Sequence, residues 1–319
     1  MLFYTLKRLA YVAVILAVMS VLIFWATQVM PGDVAQMIVG QFATDEQIRA
    51  VRARLRLDDP IYVQYLRWAG ALLHGDLGLS LMMDRPIAPL IGDAMLRSAV
   101  LAGISIVLIA AIGIWLGVYS AVRRGTAADT AISVGSYFFI SVPEFFWAIV
   151  VILLFAGYLG WFPATGYAPI SDGIWKWLQH IVLPVATLVS GLVAHVSRLT
   201  RSSMIETMQS QYVTAARAKG LPERLVIRRH ALRNALVPTI TVLAIDVGLL
   251  MGGIVVVETV FSYPGLGRML IFAIEQKDIP MVQAGILSVT AVYAIANLAA
   301  DLLYAFFNPR IRYGSALAR

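Results

Sequence analysis

The 319-residue chain contains no cysteine. That absence excludes disulfide frameworks, cysteine-based zinc and iron–sulfur sites and thiol catalysis together, and leaves the redox compartment open. Its four histidines, His74, His180, His195 and His230, are scattered without metal-ligand spacing. No G-x-x-x-x-G-K-[ST] segment occurs, so the chain has no P-loop with which to cradle ATP phosphates. A nucleophile and base at helical spacing, as an intramembrane enzyme requires, are missing as well. Charge is scarce: only 13% of residues are Asp, Glu, Lys or Arg, where soluble domains carry about a quarter.

What is present is apolar. Hydrophobic residues make up 60% of the chain and the mean hydropathy is +0.80, more than one soluble core can use. Six runs reach or approach the roughly 20 residues that cross a bilayer as a helix: 9–29, 98–122, 130–160, 181–197, 235–257 and 281–307. The fourth is the shortest. All are continuous and lack two-residue alternation, which argues against a membrane β-barrel. Lys7 and Arg8 precede the first run in the manner of a signal peptide. That run is longer than a secretory core of about 7–15 residues and no small-x-small site follows it, so it reads as a retained helix. The fold class is therefore an all-α polytopic membrane protein with six transmembrane helices.

The net charge of +7 is read through topology, because short cytoplasmic loops collect Lys and Arg. With the N-terminus inside, fifteen of the 25 basic residues fall on inner segments, and only Lys176, Arg268 and Lys277 on short outer loops. This predicts both termini in the cytoplasm, in a multi-pass membrane protein. Residues 1–30 form the N-terminal segment and first helix, 31–97 an extracytoplasmic insert, and 98–319 a core of five helices with an inner loop at 198–234. Thr44-Asp45-Glu46-Gln47 has the form of a capping box opening a helix to about Leu57. Asp59-Pro60 reads as an N-cap followed by proline at the first helical position. The insert is either a spacer or an outer docking or gating element.

The inner loop holds eight of the basic residues. Helix formers run from Met204 to Lys219, Gly220 is placed to stop them, and Pro222 with Glu223 starts a second helix carrying Arg224, Arg228, Arg229 and Arg233. Charge alone suits a loop bound to anionic lipid. Small residues at Ala215, Ala216 and Ala218 suit close approach by a partner.

The order of residues adds a resemblance. Thr214-Ala215-Ala216, Gly220 four residues later and Leu236-Val237-Pro238 resemble the E-A-A…G…L-P loop in the permease subunits of ABC importers, specifically the peptide, opine and nickel branch. Thr214 stands where the general pattern has Glu. Further blocks resemble the same family: 6–33 ending Met30-Pro31-Gly32-Asp33, Gln64-Tyr65-Leu66-Arg67-Trp68, His74-Gly75-Asp76-Leu77-Gly78, Val256-Val257-Glu258-Thr259-Val260-Phe261, Pro264-Gly265-Leu266-Gly267-Arg268 and Asn308-Pro309-Arg310-Ile311-Arg312. The resemblance implies a type I ABC importer permease fold and no catalysis or cofactor in this chain. It implies a second, usually non-identical permease subunit, two cytoplasmic ATPases that bind ATP and Mg, and an extracytoplasmic binding protein; nucleic acid has no part. Tyr212, Thr214, Ala215, Ala216, Arg217, Lys219, Gly220 and Leu221 would form the docking loop. The substrates it implies are peptides first, then opine- or sugar-related solutes, with nickel last.

Carboxylates in a bilayer are costly and must face protein or water. Glu144 and Asp246 therefore either line a path that attracts a substrate ammonium or are satisfied inside the subunit interface. Asp301 lies nearer the inner end. Gly113-x-x-x-Gly117 and Gly248-x-x-x-Gly252 suit close helix contact, while Gly252-Gly253 also suits a hinge. The candidate path or gate is Glu144, Asp246, Gly252, Gly253 and Glu258. Tyr158, Trp161, Trp175 and Trp177 sit where an interfacial aromatic belt belongs. A self-contained secondary transporter or channel is the competing reading; it calls for an internal repeat or a dense ion relay, and three intramembrane carboxylates without a basic partner make a thin one.

Overall fold

The computed structural model describes residues 2–29 and 44–307. The sequence blocks at 30–33 and 308–312, and the expectations placed on them, lie outside the described residues, as does the start of the insert at 31–43. Helices dominate: α1 (Leu2–Val29), α2 (Asp45–Leu55), α3 (Ile61–Leu73), α4 (Ile87–Val122), α5 (Ala127–Ser141), α6 (Glu144–Val151), α7 (Ile174–Met208), α8 (Gln211–Ala218), α9 (Glu223–Leu225), α10 (Leu232–Val260), α11 (Leu266–Glu275) and α12 (Ile279–Phe307). Two short strands, β1 (Leu79–Ser80) and β2 (Arg85–Pro86), pair antiparallel. Five helices are long and apolar enough to cross a membrane, and a sixth span results if α5 and α6 count as one.

That sixth span is where hydropathy and structure part. The 130–160 run reads as one helix, yet α5 and α6 meet at 104°. Pro143 has no N–H to donate and pushes Val142 out of the helical region, and Val142 indeed lies at φ −99°, ψ 128°. Apolar composition continues through the break, so hydropathy does not register it. A π-helical stretch, Ile152–Tyr158, continues α6. The fourth run is the reverse case: instead of 17 residues it is the interior of the 35-residue α7. Its helical flanks carry Lys176, Arg198, Arg201 and Glu206, which hydropathy discounts.

The structure divides into two compact units. The first is built on residues 98–264. Leu101, Ile109, Leu188, Val196, Leu250 and Ile254 form its core, drawn from α4, α7 and α10. Close contact depends on the two glycines of α4. A Cβ at Gly117 would stand 2.5 Å from the Ser197 carbonyl oxygen, and one at Gly113 would stand 2.8 Å from Val196 Cβ. Gly252 has open space around its Cβ position, so the α10 glycine pair does not repeat this packing there. Polar ties join α7 to α10: the Thr200 and Thr239 hydroxyls lie 3.2 Å apart and both residues are fully buried.

The second unit comprises residues 6–97 and 265–294. Helix α3 of the insert lies on α1: Tyr65 meets Phe24 edge-on at 5.5 Å, and its hydroxyl is 3.0 Å from Ser20 Oγ. Helix α3 begins one residue later than expected, with Pro60 as its N-cap rather than its first helical residue. Gln283 on α12 donates to Thr27 Oγ1 at 2.7 Å. Buried Asp278 accepts from Ser80 Oγ (2.5 Å) and from the Leu81 and Met281 backbone amides (3.2 and 3.3 Å), pinning the β1–β2 turn to the start of α12.

Overpacking a close helix contact costs about 1–3 kcal/mol. Gly117→Leu is expected to lower the thermal unfolding midpoint in detergent, whereas Gly103→Leu, on the same helix with nothing within 4 Å of its Cβ position, leaves it unchanged.

Candidate functional site

Three features of the 98–264 unit carry chemistry. The first is a cavity of about 420 Å³ at the α5–α6 break. Phe139, Glu144, Trp147, Thr187, Ser190 and His195 are among its walls. The proline break places Glu144 at the first turn of α6 rather than mid-span, and Gly253 makes room for it: any Cβ there would collide with the Glu144 carboxylate. Phe139 and Trp147 stack at 4.7 Å beside it.

Asp246, 3% exposed on α10, does not face this cavity directly. Its carboxylate lies 3.0 Å from Nδ1 of His195, which does. The expectation of carboxylates without a basic partner is corrected by this pair. A 51-residue separation concealed it in the sequence. Glu258 is fully buried and accepts a hydrogen bond from Ser98. Of the five candidate path residues, the structure brings Glu144, Gly253 and, through His195, Asp246 together; Gly252 and Glu258 stand apart from the cavity wall.

The second feature was missed in the sequence. Asp129 on α5 receives Nε and Nη2 of Arg201 on α7 at 2.6 and 2.8 Å, with Ser120 Oγ and the Gly125 amide at 2.5 and 3.0 Å. Four donors on one buried carboxylate tie the end of α4, the start of α5 and the far half of α7. The available signal was Thr126 three residues before Asp129, an N-cap arrangement that the structure realises.

The third feature is the 198–234 loop. The helix expected from Met204 to Lys219 breaks at residues 209–210: α7 ends at Met208, and Ser210 turns its hydroxyl back to the Thr207 carbonyl at 2.6 Å, a local bond that competes with helix continuation. Helix α8 ends as expected at Gly220, φ +76°. The Gly220 amide donates to the Arg217 carbonyl and the Leu221 amide to that of Ala216, a Schellman closure. After Pro222, helix α9 passes through a π-helical turn (Val226–Ala231) directly into α10, giving 38 continuous residues, Glu223–Val260, where two helices were expected.

The eight docking candidates divide by face. Val213 and Ala216 pack inward with Met204, Val226 and Ala235, and Leu221 joins them. Ala216 is thus a residue of the loop's own core, which corrects its reading as a point of partner approach. Tyr212, Thr214, Ala215, Arg217 and Lys219 face outward. Arg217 is a brace as well: Nη2 and Nε reach Glu223 at 2.7 and 3.1 Å, and this pairing raises the guanidinium above its ordinary value. Tyr212 accepts from Asn234 at 3.0 Å. Among the described residues no group of three or more His, Cys, Asp or Glu could hold a metal ion.

Residues 113–313 match the family described as the binding-protein-dependent transport system inner membrane component, and residues 1–105 match its N-terminal region. The chain belongs to this permease family. A Brucella abortus chain named as a peptide transport system permease protein is 37% identical over 308 residues, 97% of this permease and 98% of its relative. The glutathione transport system permease protein GsiC of Escherichia coli K12 is 37% identical over 313 residues, 98% and 100% of the two chains. A crystal structure of an amino acid ABC transporter with histidines aligns with a TM-score of 0.50 at 16% identity, over 70% of the permease and 94% of that chain. That last likeness speaks to the fold, the type I ABC permease arrangement.

Removing Arg201 would leave Asp129 buried and unpaired, which costs about 3–5 kcal/mol. Arg201→Met is expected to lower the unfolding midpoint sharply in the purified permease, and adding Asp129→Asn should restore much of the loss.

Proposed function

We propose that this chain, a permease subunit of an ABC importer, takes up small peptides by alternating access driven by partner ATPases. The observation that carries the reading is identity of 37% along nearly the whole length to permeases named for peptide and for glutathione transport. In this reading a second, non-identical permease completes the pathway, two cytoplasmic ATPases bind ATP and Mg, and an extracytoplasmic binding protein delivers the solute. The chain itself contributes no catalysis and no cofactor. Both termini face the cytoplasm of the inner membrane, residues 31–97 face outward, and 198–234 faces inward, an assignment supported by the distribution of basic residues.

The outward face of α8 (Tyr212, Thr214, Ala215, Arg217 and Lys219) meets an ATPase subunit, and Ala216, Gly220 and Leu221 hold that face in shape. Because α9 runs into α10 as one helix, with the π turn and Pro238 as its points of bending, movement of the ATPases reaches the level of Asp246 along a continuous element, in the rigid-body switching such transport needs. Glu144, Asp246 and Gly253 belong to the path; Gly252 and Glu258 belong to the moving helix that carries it. Lys7, Arg8 and the α9–α10 arginines provide an anionic-lipid contact in addition.

The assembled importer in proteoliposomes is expected to accumulate a tripeptide only with ATP and the binding protein, and to stop when ATP hydrolysis is blocked. Uptake by this chain alone in ATP-free vesicles would reject the reading. Ala215→Trp should reduce ATPase co-purification several-fold while leaving the unfolding midpoint intact; unchanged co-purification would remove α8 from the docking surface.

A further inference from the structure

A second cavity, about 330 Å³, opens on the other side of His195. Ser133, Ser136, Tyr137, Arg198, Arg201 and Ser202 are among its walls, and His195 is the residue it shares with the Glu144 cavity. The two cavities follow α7 in succession. Residues 187–195 line the first and 195–202 the second, a run of roughly 22 Å at the helical rise.

The two ends differ in charge. In the first cavity Glu144 has, among the described residues, neither a hydrogen-bond donor nor an ion-pair partner, and aromatic rings flank it. In the second, Arg201 is committed to Asp129 through both nitrogens, whereas Arg198 has no carboxylate partner among the described residues and lies 5.8 Å from the Tyr137 ring. At the junction, Asp246 holds His195 by Nδ1 and so fixes the ring as the common wall. A carboxylate in one wall, a guanidinium in the other and hydroxyls in both match a solute with the opposite polarity.

We infer that the permease holds a zwitterionic peptide of two to four residues in transit, its ammonium on Glu144 and its carboxylate on Arg198. Such a peptide spans about 7–14 Å extended, less than the roughly 22 Å that the two linings cover along α7, and its backbone passes the His195 ring that they share. The ammonium gains both the carboxylate and the π faces of Phe139 and Trp147; the terminal carboxylate suits the planar guanidinium. Gly253 is a positioning residue, since any side chain there displaces Glu144. This inference rests on the peptide-importer reading and adds the direction in which the peptide lies.

The test uses the complete importer in proteoliposomes with tri-alanine, N-acetyl-tri-alanine and tri-alanine amide, each loaded on the binding protein to saturation. Loss of a charged hydrogen bond is worth about tenfold or more. Glu144→Gln should therefore lower tri-alanine uptake about tenfold and N-acetyl-tri-alanine uptake much less, with Glu144→Asp retaining most of it. Arg198→Gln should give the mirror pattern with the amide, and Gly253→Ala should reproduce the Glu144→Gln selectivity. Equal losses for free and blocked peptides, or none, overturn the inference. The unmodified complex decides independently of any variant: equal uptake of all three peptides also overturns it and leaves the importer reading standing. No ATP-driven uptake of tri-alanine by the unmodified complex overturns the peptide reading itself.

Discussion

A hydrocarbon phase offers no partner to a polar group, so each carboxylate carried into it must be answered from another helix or left facing water. The 98–264 unit meets that demand within its apolar spans and at their edges. Asp129 is answered by Arg201, Asp246 by His195 and Glu258 by Ser98. Two of these three partners lie on α7, which also supplies Thr200 to Thr239 and the surfaces that receive Gly113 and Gly117. Helix α7 is thereby fixed against α4, α5 and α10 by bonds that are directional as well as by packing that is not. Glu144 differs from the other three. It has no hydrogen-bond or ion-pair partner among the described residues and lines a cavity, the one of the four left open to water or solute.

Much of this was legible in the sequence, and the reasons for the remainder are physical. Apolar runs report how much lipid-compatible surface a segment has, so α1, α4, α10 and α12 were located to within several residues over most of their ends. The same measure is blind to direction. It passed over the Pro143 break, although the proline stood in plain view, because residues on both sides are equally apolar. It also trimmed α7 to its middle, because Arg198 and Arg201 count against membrane insertion in a hydropathy sum even though Arg201 is paired with Asp129 inside the fold.

The 198–234 loop shows the same division at smaller scale. Gly220 and Pro222 are local signals, needing only the preference of one residue for φ > 0 and the missing N–H of another, and both were read correctly. Which alanine faces inward is not a local property. Ala215 and Ala216 are chemically identical, and only the positions of Met204 and Val226 decide between them. Likewise Asp129 and Arg201 are 72 residues apart, and nothing short of the topology of three helices brings them together.

The π-helical turn at Val226–Ala231 sets a phase. A π turn accommodates one residue more than an α turn, and each residue in an α-helix advances the azimuth by about 100°. Everything C-terminal to the turn on the 38-residue helix inherits that offset. Excising the extra residue would leave composition and hydropathy nearly untouched, yet would change the azimuth of Asp246 relative to α9 by about 100°. The 198–234 loop and the Asp246 side of α10 are thus kept in angular register by a single residue count.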